Sequence, residues 1–205
     1  MNMAKKRRVR DKWRDKRWVI VKAPASFGYH PVAYIPITDE EKAIGRTIET
    51  TLFDIWKSDP LQHTIKLYFQ IERIEGDYAY TRFKGHEYAR EYIRSLVRRG
   101  TSLVTYINDF TTKDGYKFRI TTMAFTQRRI NSSKKWLIRK VMHEILSTEV
   151  PQLTLDQFVQ SVVGPKINAD LLRRAKSIVG IRHIAVVKTK LLATPEQKIE
   201  YAIQG

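Results

Sequence analysis

Three arginines recur every four residues, at Arg90, Arg94 and Arg98, within the run GHEYAREYIRSLVRRGTS from Gly85 to Ser102. At 3.6 residues per turn a helix sets them in a row. Tyr88, Ala89, Tyr92, Ile93, Leu96 and Val97 fall on another side. The spacing predicts a helix that buries one face against a sheet and holds guanidiniums in water with the other. Gly100 is placed to end it, with Arg98 and Arg99 in the electronegative last turn. A guanidinium is a fixed cation with a planar fork of donors, and phosphate is an anion that it matches in shape. The same row could be an ordinary solvated helix face, so the remaining charge has to decide.

Residues 5–17, KKRRVRDKWRDKR, are more basic still. Lys5, Lys6, Arg7, Arg8, Arg10, Lys12, Arg14, Lys16 and Arg17 are opposed only by Asp11 and Asp15. Such a run repels itself and buries little, which predicts an extended arm over residues 1–17. Trp13 and Trp18 interrupt it. An indole can stack on an unpaired base while neighbouring cations take the phosphates. Trp18 opens the apolar run WVIVK and is expected in the core; Trp13 is left for RNA or a protein surface. Further along, Lys117, Arg119 and Thr121 share one side of an alternating run, next to Lys113. Arg128, Arg129, Lys134 and Lys135 lead into a helix N-terminus, whose free amides also suit phosphate. These groups, with the arginine row, are expected to form one patch.

The whole chain carries 38 Lys+Arg against 21 Asp+Glu, a formal net charge of +17. That excess opposes a compact state unless a polyanion screens it. Nucleic acid accounts for it, whereas small acidic substrates do not require it. No run of eighteen apolar residues exists, which argues against a membrane partner. The basic N-terminus lacks the apolar stretch of a signal peptide. With 42% hydrophobic residues the chain can bury a core. It has no cysteine, which rules out disulfides and thiolate metal sites and is compatible with a reducing compartment.

Other chemistry is poorly supported. His86-Glu87 and His143-Glu144 start like a zinc protease motif, but Arg90 and Ser147 stand where a second histidine is needed. His30, His63 and His183 are scattered and read as surface or packing residues. No phosphate-binding glycine loop and no GxSxG elbow occurs. Asp39, Glu40 and Glu41 read as a solvated loop, and Asp109 with Asp114 is a weak magnesium candidate. The expectation is binding without catalysis, metal or cofactor.

The elements that position the basic groups follow from periodicity. Ile65, Leu67, Phe69 and Ile71 alternate with polar residues and predict a half-buried strand. Glu75-Gly-Asp77 turns it into a partner over residues 78–84. Gly45 to Leu52 reads as a strand. Leu103 to Thr111 and Tyr116 to Thr126 form a hairpin about Asp114-Gly115. Ser132 or Ser133 caps a helix to about Leu146 with Leu137, Ile138, Val141, Met142, Ile145 and Leu146 as its apolar face. Thr154-Leu-Asp-Gln157 is a capping box for the next helix. A third helix carries Ile167, Leu171, Leu172, Ala175 and Ile178, and Ile181 to Lys188 returns to strand. Thr194 to Gln197 can cap a last turn. The fold class is α+β: a curved, mostly antiparallel sheet or β-barrel with packed helices. The organisation is an arm (1–17), a core (18–190, β-rich to 130 and helix-rich after) and a tail (191–205).

Five blocks, in order and spacing, resemble a known family: KAPASFG from Lys22, GRTIETTL from Gly45, GHEYAREYIRSLVRR from Gly85, TTKDGYK from Thr111 and RKVMHEI from Arg139. Over about residues 16–190 the chain resembles the small-subunit ribosomal protein family S-three-a (eukaryotic-type S-one), with the length of an archaeal member. The stretch from about Leu191 departs from the family pattern. The resemblance implies a cytoplasmic structural protein that orders small-subunit rRNA on the platform near the messenger RNA exit. Implied neighbours are other platform proteins, such as the universal S-eleven type, with messenger RNA a further candidate. It implies no catalytic residues; the family's motif glycines and arginines fall at Gly28, Gly45, Gly85, Arg90, Arg94, Arg98 and Arg99. Two other readings stay open: a free-standing RNA-processing or ribosome-assembly factor using Asp109 and Asp114, and an adaptor that binds a protein through residues 133–180.

Overall fold

A computed structural model describes residues 13–195. The expected contacts of Lys5, Lys6, Arg7, Arg8, Arg10 and Lys12 lie outside the described residues, as does the end of the Thr194 to Gln197 turn. The described chain is α+β. Its strands are β1 (Arg17–Lys22), β2 (Pro31–Ile37), β3 (Thr47–Thr51), β4 (Ile65–Glu75), β5 (Tyr78–Tyr88), β6 (Leu103–Thr111), β7 (Lys117–Thr126) and β8 (Ile181–Ala193). The helices are α1 (Leu52–Trp56), α2 (Arg90–Leu96), α3 (Ser132–Glu149), α4 (Leu155–Val163) and α5 (Lys166–Lys176).

The sheet runs β2-β1-β5-β8-β7-β6, with β4 and then β3 on the other side of β5. All pairs are antiparallel except β1 with β5. It stays open, so of the two expected forms the curved sheet is the one found. The centre is β5, which changes partner along one edge. Its first half pairs with β1 at Tyr78–Tyr80, and its second half pairs with β8 at Gly85–Glu87.

Alternation in the sequence sets which residues go inward. In β4, Ile65, Leu67, Phe69 and Ile71 are all buried. In β7, Phe118, Ile120, Thr122 and Ala124 point inward and leave Lys117, Arg119 and Thr121 outside. Helices α3, α4 and α5 close the inner face with Ile138, Met142, Ile145, Phe158, Val162, Ile167 and Leu171. Edge-on and tilted ring contacts join the layers: Phe27 to Phe69 at 5.5 Å, Phe83 to Phe118 at 6.2 Å and Phe118 to Phe158 at 4.8 Å between centroids. The capping box of α4 is formed, with Thr154 N donating to Gln157 Oε1 at 3.3 Å. The N-cap of α3 is Asn131, one residue before the expected serines. A smaller core of Val19, Val21, Ile37, Ala43, Ile71 and Ala79 lies under β1 and β2.

Two expectations fail. Gly85 to Tyr88 belongs to β5, and the helix that follows spans only Arg90–Leu96, with no fully buried residue. Pairing with β8, a hundred residues on, overrides the local helical periodicity. Arg98 therefore lies beyond the Val97 C-cap, and the three arginines do not share one helix. Trp18 is 61% exposed, because the buried phase of β1 belongs to Val19 and Val21.

Gly85 is required where it stands. Its φ is +157°, and an added Cβ would come within 2.1 Å of the Thr189 carbonyl oxygen in β8. Gly76, in the β4–β5 turn at φ +59°, has nothing within 4 Å of such an atom. Gly85→Ala should therefore destabilise the fold by more than about 3 kcal/mol in urea unfolding, through forced strand separation. Gly76→Ala should cost only about 1 kcal/mol, from the backbone alone. Equal losses would mean that the β5–β8 approach is not tight.

Candidate nucleic-acid interface

Helices α3, α4 and α5 cover the inner side, and much of the outer face of the sheet is left exposed, except about Phe125, Ala185 and Val187, which are buried. Strand registers carry one row across six strands: Asp109, Arg119, Lys190, Gly85, Tyr68 and Glu49. The next row is Ile107, Thr121, Lys188, Glu87, Lys66 and Thr51. Arg82, Lys84 and Lys117 flank these rows on the same side. The face thus gathers seven cations, Lys66, Arg82, Lys84, Lys117, Arg119, Lys188 and Lys190, against Glu49, Glu87 and Asp109.

The carboxylates hold part of that charge in place. Asp109 accepts from Arg119 Nε at 2.7 Å and Nη2 at 3.1 Å, with Lys117 Nζ at 3.8 Å. The Arg119 hydrogen bond keeps the Asp109 carboxyl below its ordinary range. Lys188 meets Glu87 at 2.8 Å and Lys66 meets Glu49 at 2.7 Å. Lys84 Nζ donates to Thr47 Oγ1 at 2.8 Å. Lys190 lies opposite Gly85, where no side chain competes with it, and among the described residues no ion pair engages it. Solvent-exposed pairs contribute little to stability and can exchange partners with an incoming phosphate.

Beneath the face sits His86, fully buried between β5 and β8. Its Nε2–H donates to Val186 O at 3.0 Å, and Nδ1 accepts from the Thr189 hydroxyl at 2.8 Å. Thr189 Oγ1 also accepts from His86 N at 3.1 Å. Burial pushes the imidazole pKa down to about 4. The histidine is a packing residue that locks the three-pair seam.

The expected single patch divides in two. Lys117 and Arg119 lie on the sheet face, while the segments that carry the exposed Arg98, Arg99, Arg128 and Arg129 meet at one end of the sheet. There Thr126 Oγ1 accepts from Ser102 N at 2.9 Å and donates to Arg128 O at 2.6 Å. Ile130 N donates to Ser102 Oγ at 3.2 Å. Lys134 and Lys135 follow in the first turn of α3. The 9 residues of β6, about 30 Å of extended chain, separate this end from the hairpin turn that carries Lys113. Arg90 and Arg94 are exposed on α2. In the arm, Trp13 is exposed with Lys16 Nζ 3.5 Å above its ring, Arg14 is exposed, and Arg17 is paired with Glu40.

Sequence reasoning missed Lys66, Arg82, Lys84, Lys188 and Lys190. The i, i+2 spacing of Lys188 and Lys190 at the end of an apolar strand was the available signal. Which strand would lie beside them was not readable locally. The weak magnesium pair is not assembled: Asp109 is held by Arg119, whereas Asp114 Oδ2 accepts from Leu155 N at 2.6 Å. Among the described residues no three His, Asp or Glu side chains come together as a metal site. Most of the apolar faces of α3, α4 and α5, which the adaptor reading needs, pack on the sheet, but Leu137 of the expected α3 face is 41% exposed, because the buried stripe of α3 runs through Ile138, Met142, Ile145 and Leu146.

Residues 4–195 match the model of the Ribosomal S3Ae family. The chain is 50% identical over 187 residues to the small ribosomal subunit protein eS1 of Desulfurococcus amylolyticus, covering 91% of this chain and 87% of that protein. It is 43% identical to the protein of the same name from Sulfurisphaera tokodaii, over 94% of this chain and all of the relative. For that of Aeropyrum pernix the figures are 46% identity, 91% and 89%.

The state of His86 gives a direct test. Its native pKa lies below the unfolded value near 6.5, so the unfolded chain binds more protons between about pH 4 and 6.5. The stabilisation is complete above pH 6.5 and is lost as pH falls toward 4. At pH 5.5 the imidazole carbon and nitrogen shifts should show a neutral ring protonated at Nε2. A charged ring at that pH would contradict the buried latch.

Proposed function

Because the chain belongs to the Ribosomal S3Ae family, we propose that it is a structural component of the small ribosomal subunit, of archaeal type, that binds and orders rRNA. The observation that carries the RNA-binding part is the exposed sheet face, where seven cations, four in registered rows and three flanking them, meet three carboxylates. Its mechanism is electrostatic. Lysines and arginines on a rigid sheet replace the counterions of a folded RNA backbone, and the release of those ions supplies affinity. Phosphate contacts of this kind fix position and orientation without reading sequence. The second cluster, Arg98, Arg99, Arg128 and Arg129 with Lys134 and Lys135, gives a separate phosphate-binding end. Arg90, Arg94, Lys113 and the basic arm through Arg17, including Trp13, extend the footprint. Two clusters set far apart on a rigid body can hold two RNA segments in a fixed relation, which is what an ordering protein has to do.

Placement on the subunit platform near the messenger RNA exit, beside proteins such as the S-eleven type, is part of the same reading. It rests on the family resemblance. No catalytic step belongs to it. The processing-enzyme alternative is disfavoured by the separation of Asp109 from Asp114, and the adaptor alternative by the burial of most of the apolar helical faces.

Lys188→Ala with Lys190→Ala should leave the fold intact, since both side chains are exposed. The pair should weaken binding to small-subunit rRNA and make the salt dependence shallower by about one in log–log slope per lysine. Arg94→Ala should also fold normally and lower the slope by about one. Unchanged affinity and slope in both proteins would show that these cations are only solvated.

A further inference from the structure

At the β1 end of the same sheet face the cations give way to aromatic rings. Trp18 is 61% exposed, Tyr34 66%, Tyr29 51% and Tyr78 42%. They do not lie scattered. Tyr34 of β2 pairs with Ile20 of β1, which pairs with Tyr78 of β5; Lys22 in turn pairs with Tyr80. Trp18, Ile20 and Lys22 share the outward phase of β1, because Val19 and Val21 are buried. Tyr78 and Tyr80 share the outward phase of β5, because Ala79 and Thr81 are buried. Tyr29, held at a positive φ of 55°, sets its ring edge-on to Tyr80 at 6.1 Å. Large rings left in water on one sheet face are more than the single exposed apolar residues common on any surface.

Cations are built into the same cluster. Lys22 Nζ lies 3.7 Å from the centroid of the Tyr78 ring, and the Arg73 guanidinium lies 4.9 Å from that of Tyr80. One face of each of these two rings is thus held by a cation of the protein itself, Arg73 being paired in turn with Glu75 at 3.3 Å. Neighbouring rings on one side of a strand stand about 7 Å apart, about two aromatic stacking distances; Lys22 Nζ, 3.7 Å from the Tyr78 centroid and 5.4 Å from that of Tyr80, now fills this gap, and a planar base takes its place when Lys22 turns outward to a phosphate. Farther along β5 the outward phase continues into Arg82 and Lys84, so the aromatic end runs directly into the basic rows.

The geometry points to a stacking site for unpaired RNA: a single strand laid along β5, its bases on Tyr34, Tyr78, Tyr80 and Trp18 and its phosphates on Lys22, Arg73 and Arg82. Base faces are hidden inside a duplex and free only in single strands, loops and ends, so the site selects unpaired RNA and tolerates different sequences. A protein partner would have to place the same cations against carboxylates. The continuity with a face that is cationic overall favours phosphate. This inference deepens the rRNA-binding reading, but it concerns a different RNA form and different residues.

The test uses the full chain with a twelve-nucleotide unstructured RNA and, separately, a duplex of equal length, at the same salt. Binding of the single strand should quench tryptophan fluorescence, and Trp18→Phe should remove most of that change. Tyr34→Ala combined with Tyr78→Ala should weaken single-strand binding by about tenfold or more, leaving duplex binding and the unfolding midpoint where they were. The inference is overturned if single-strand binding is unchanged, or if single-strand and duplex binding fall together. It is also overturned if the variant binds both RNAs normally yet leaves ribosomal particles at lower salt, because the face would then be a protein contact. Loss of duplex binding in Lys188→Ala/Lys190→Ala is read independently, so failure of the stacking site and failure of the rRNA-binding reading are distinguishable.

Discussion

The structure depends on one narrow contact between two backbones. Strand β5 is shared between two assemblies, the β1–β2 ribbon and the antiparallel β6–β7–β8 strands, and only three residue pairs join it to the latter. Gly85 permits the approach because a Cβ there would collide with the Thr189 carbonyl. His86 then fastens the seam with both ring nitrogens, one on Thr189 and one on Val186. Backbone groups buried at such a junction must be satisfied, and the neutral histidine does this without placing a charge in the core. Were the seam to open, the rows from Asp109 to Glu49 would break in the middle and the cations of β7 and β8 would no longer face those of β4 and β5.

The layering follows from the same arrangement. All three longer helices pack on the side where Phe69, Phe83, Phe118 and Phe158 meet, so that side is dry. The opposite side receives the alternate residues of every strand, and in this sequence these are mostly lysine, arginine, threonine and tyrosine. An antiparallel sheet with one covered and one open face is a common solution to burying half of its side chains. Here the open half carries Lys66, Arg82, Lys84, Lys117, Arg119, Lys188 and Lys190. Its carboxylates hold Arg119, Lys188 and Lys66 in defined positions, while Lys190 is left free of such a partner among the described residues.

Much of this was legible in the sequence, and the limits have a physical cause. The alternation of Ile65, Leu67, Phe69 and Ile71 shows β4, and Asp114-Gly115 between two β-rich runs shows the β6–β7 hairpin. Thr154 with Gln157 marks the start of α4. These signals are local, and so is their readout. The Gly85 region misled because its apolar residues fit a helical period, while its partner in β8 is far away in the chain. Trp18 misled because one strand phase had to be chosen without knowledge of what lay on each side. Lys188 and Lys190 went unnoticed for the same reason: a pair of lysines becomes a surface only when strand order places it beside Arg119 and Lys84. The charge total and the block resemblance, which need no strand order, gave the correct family.

The most direct test of the account is sedimentation of a cell lysate through a density gradient, with this chain followed in each fraction at low and high salt. The account predicts that it travels with small subunits and translating ribosomes and is released only at high salt, as a protein held by many phosphate contacts should be. Recovery in the light fractions at low salt, or on immature particles alone, would contradict the role of a structural small-subunit protein.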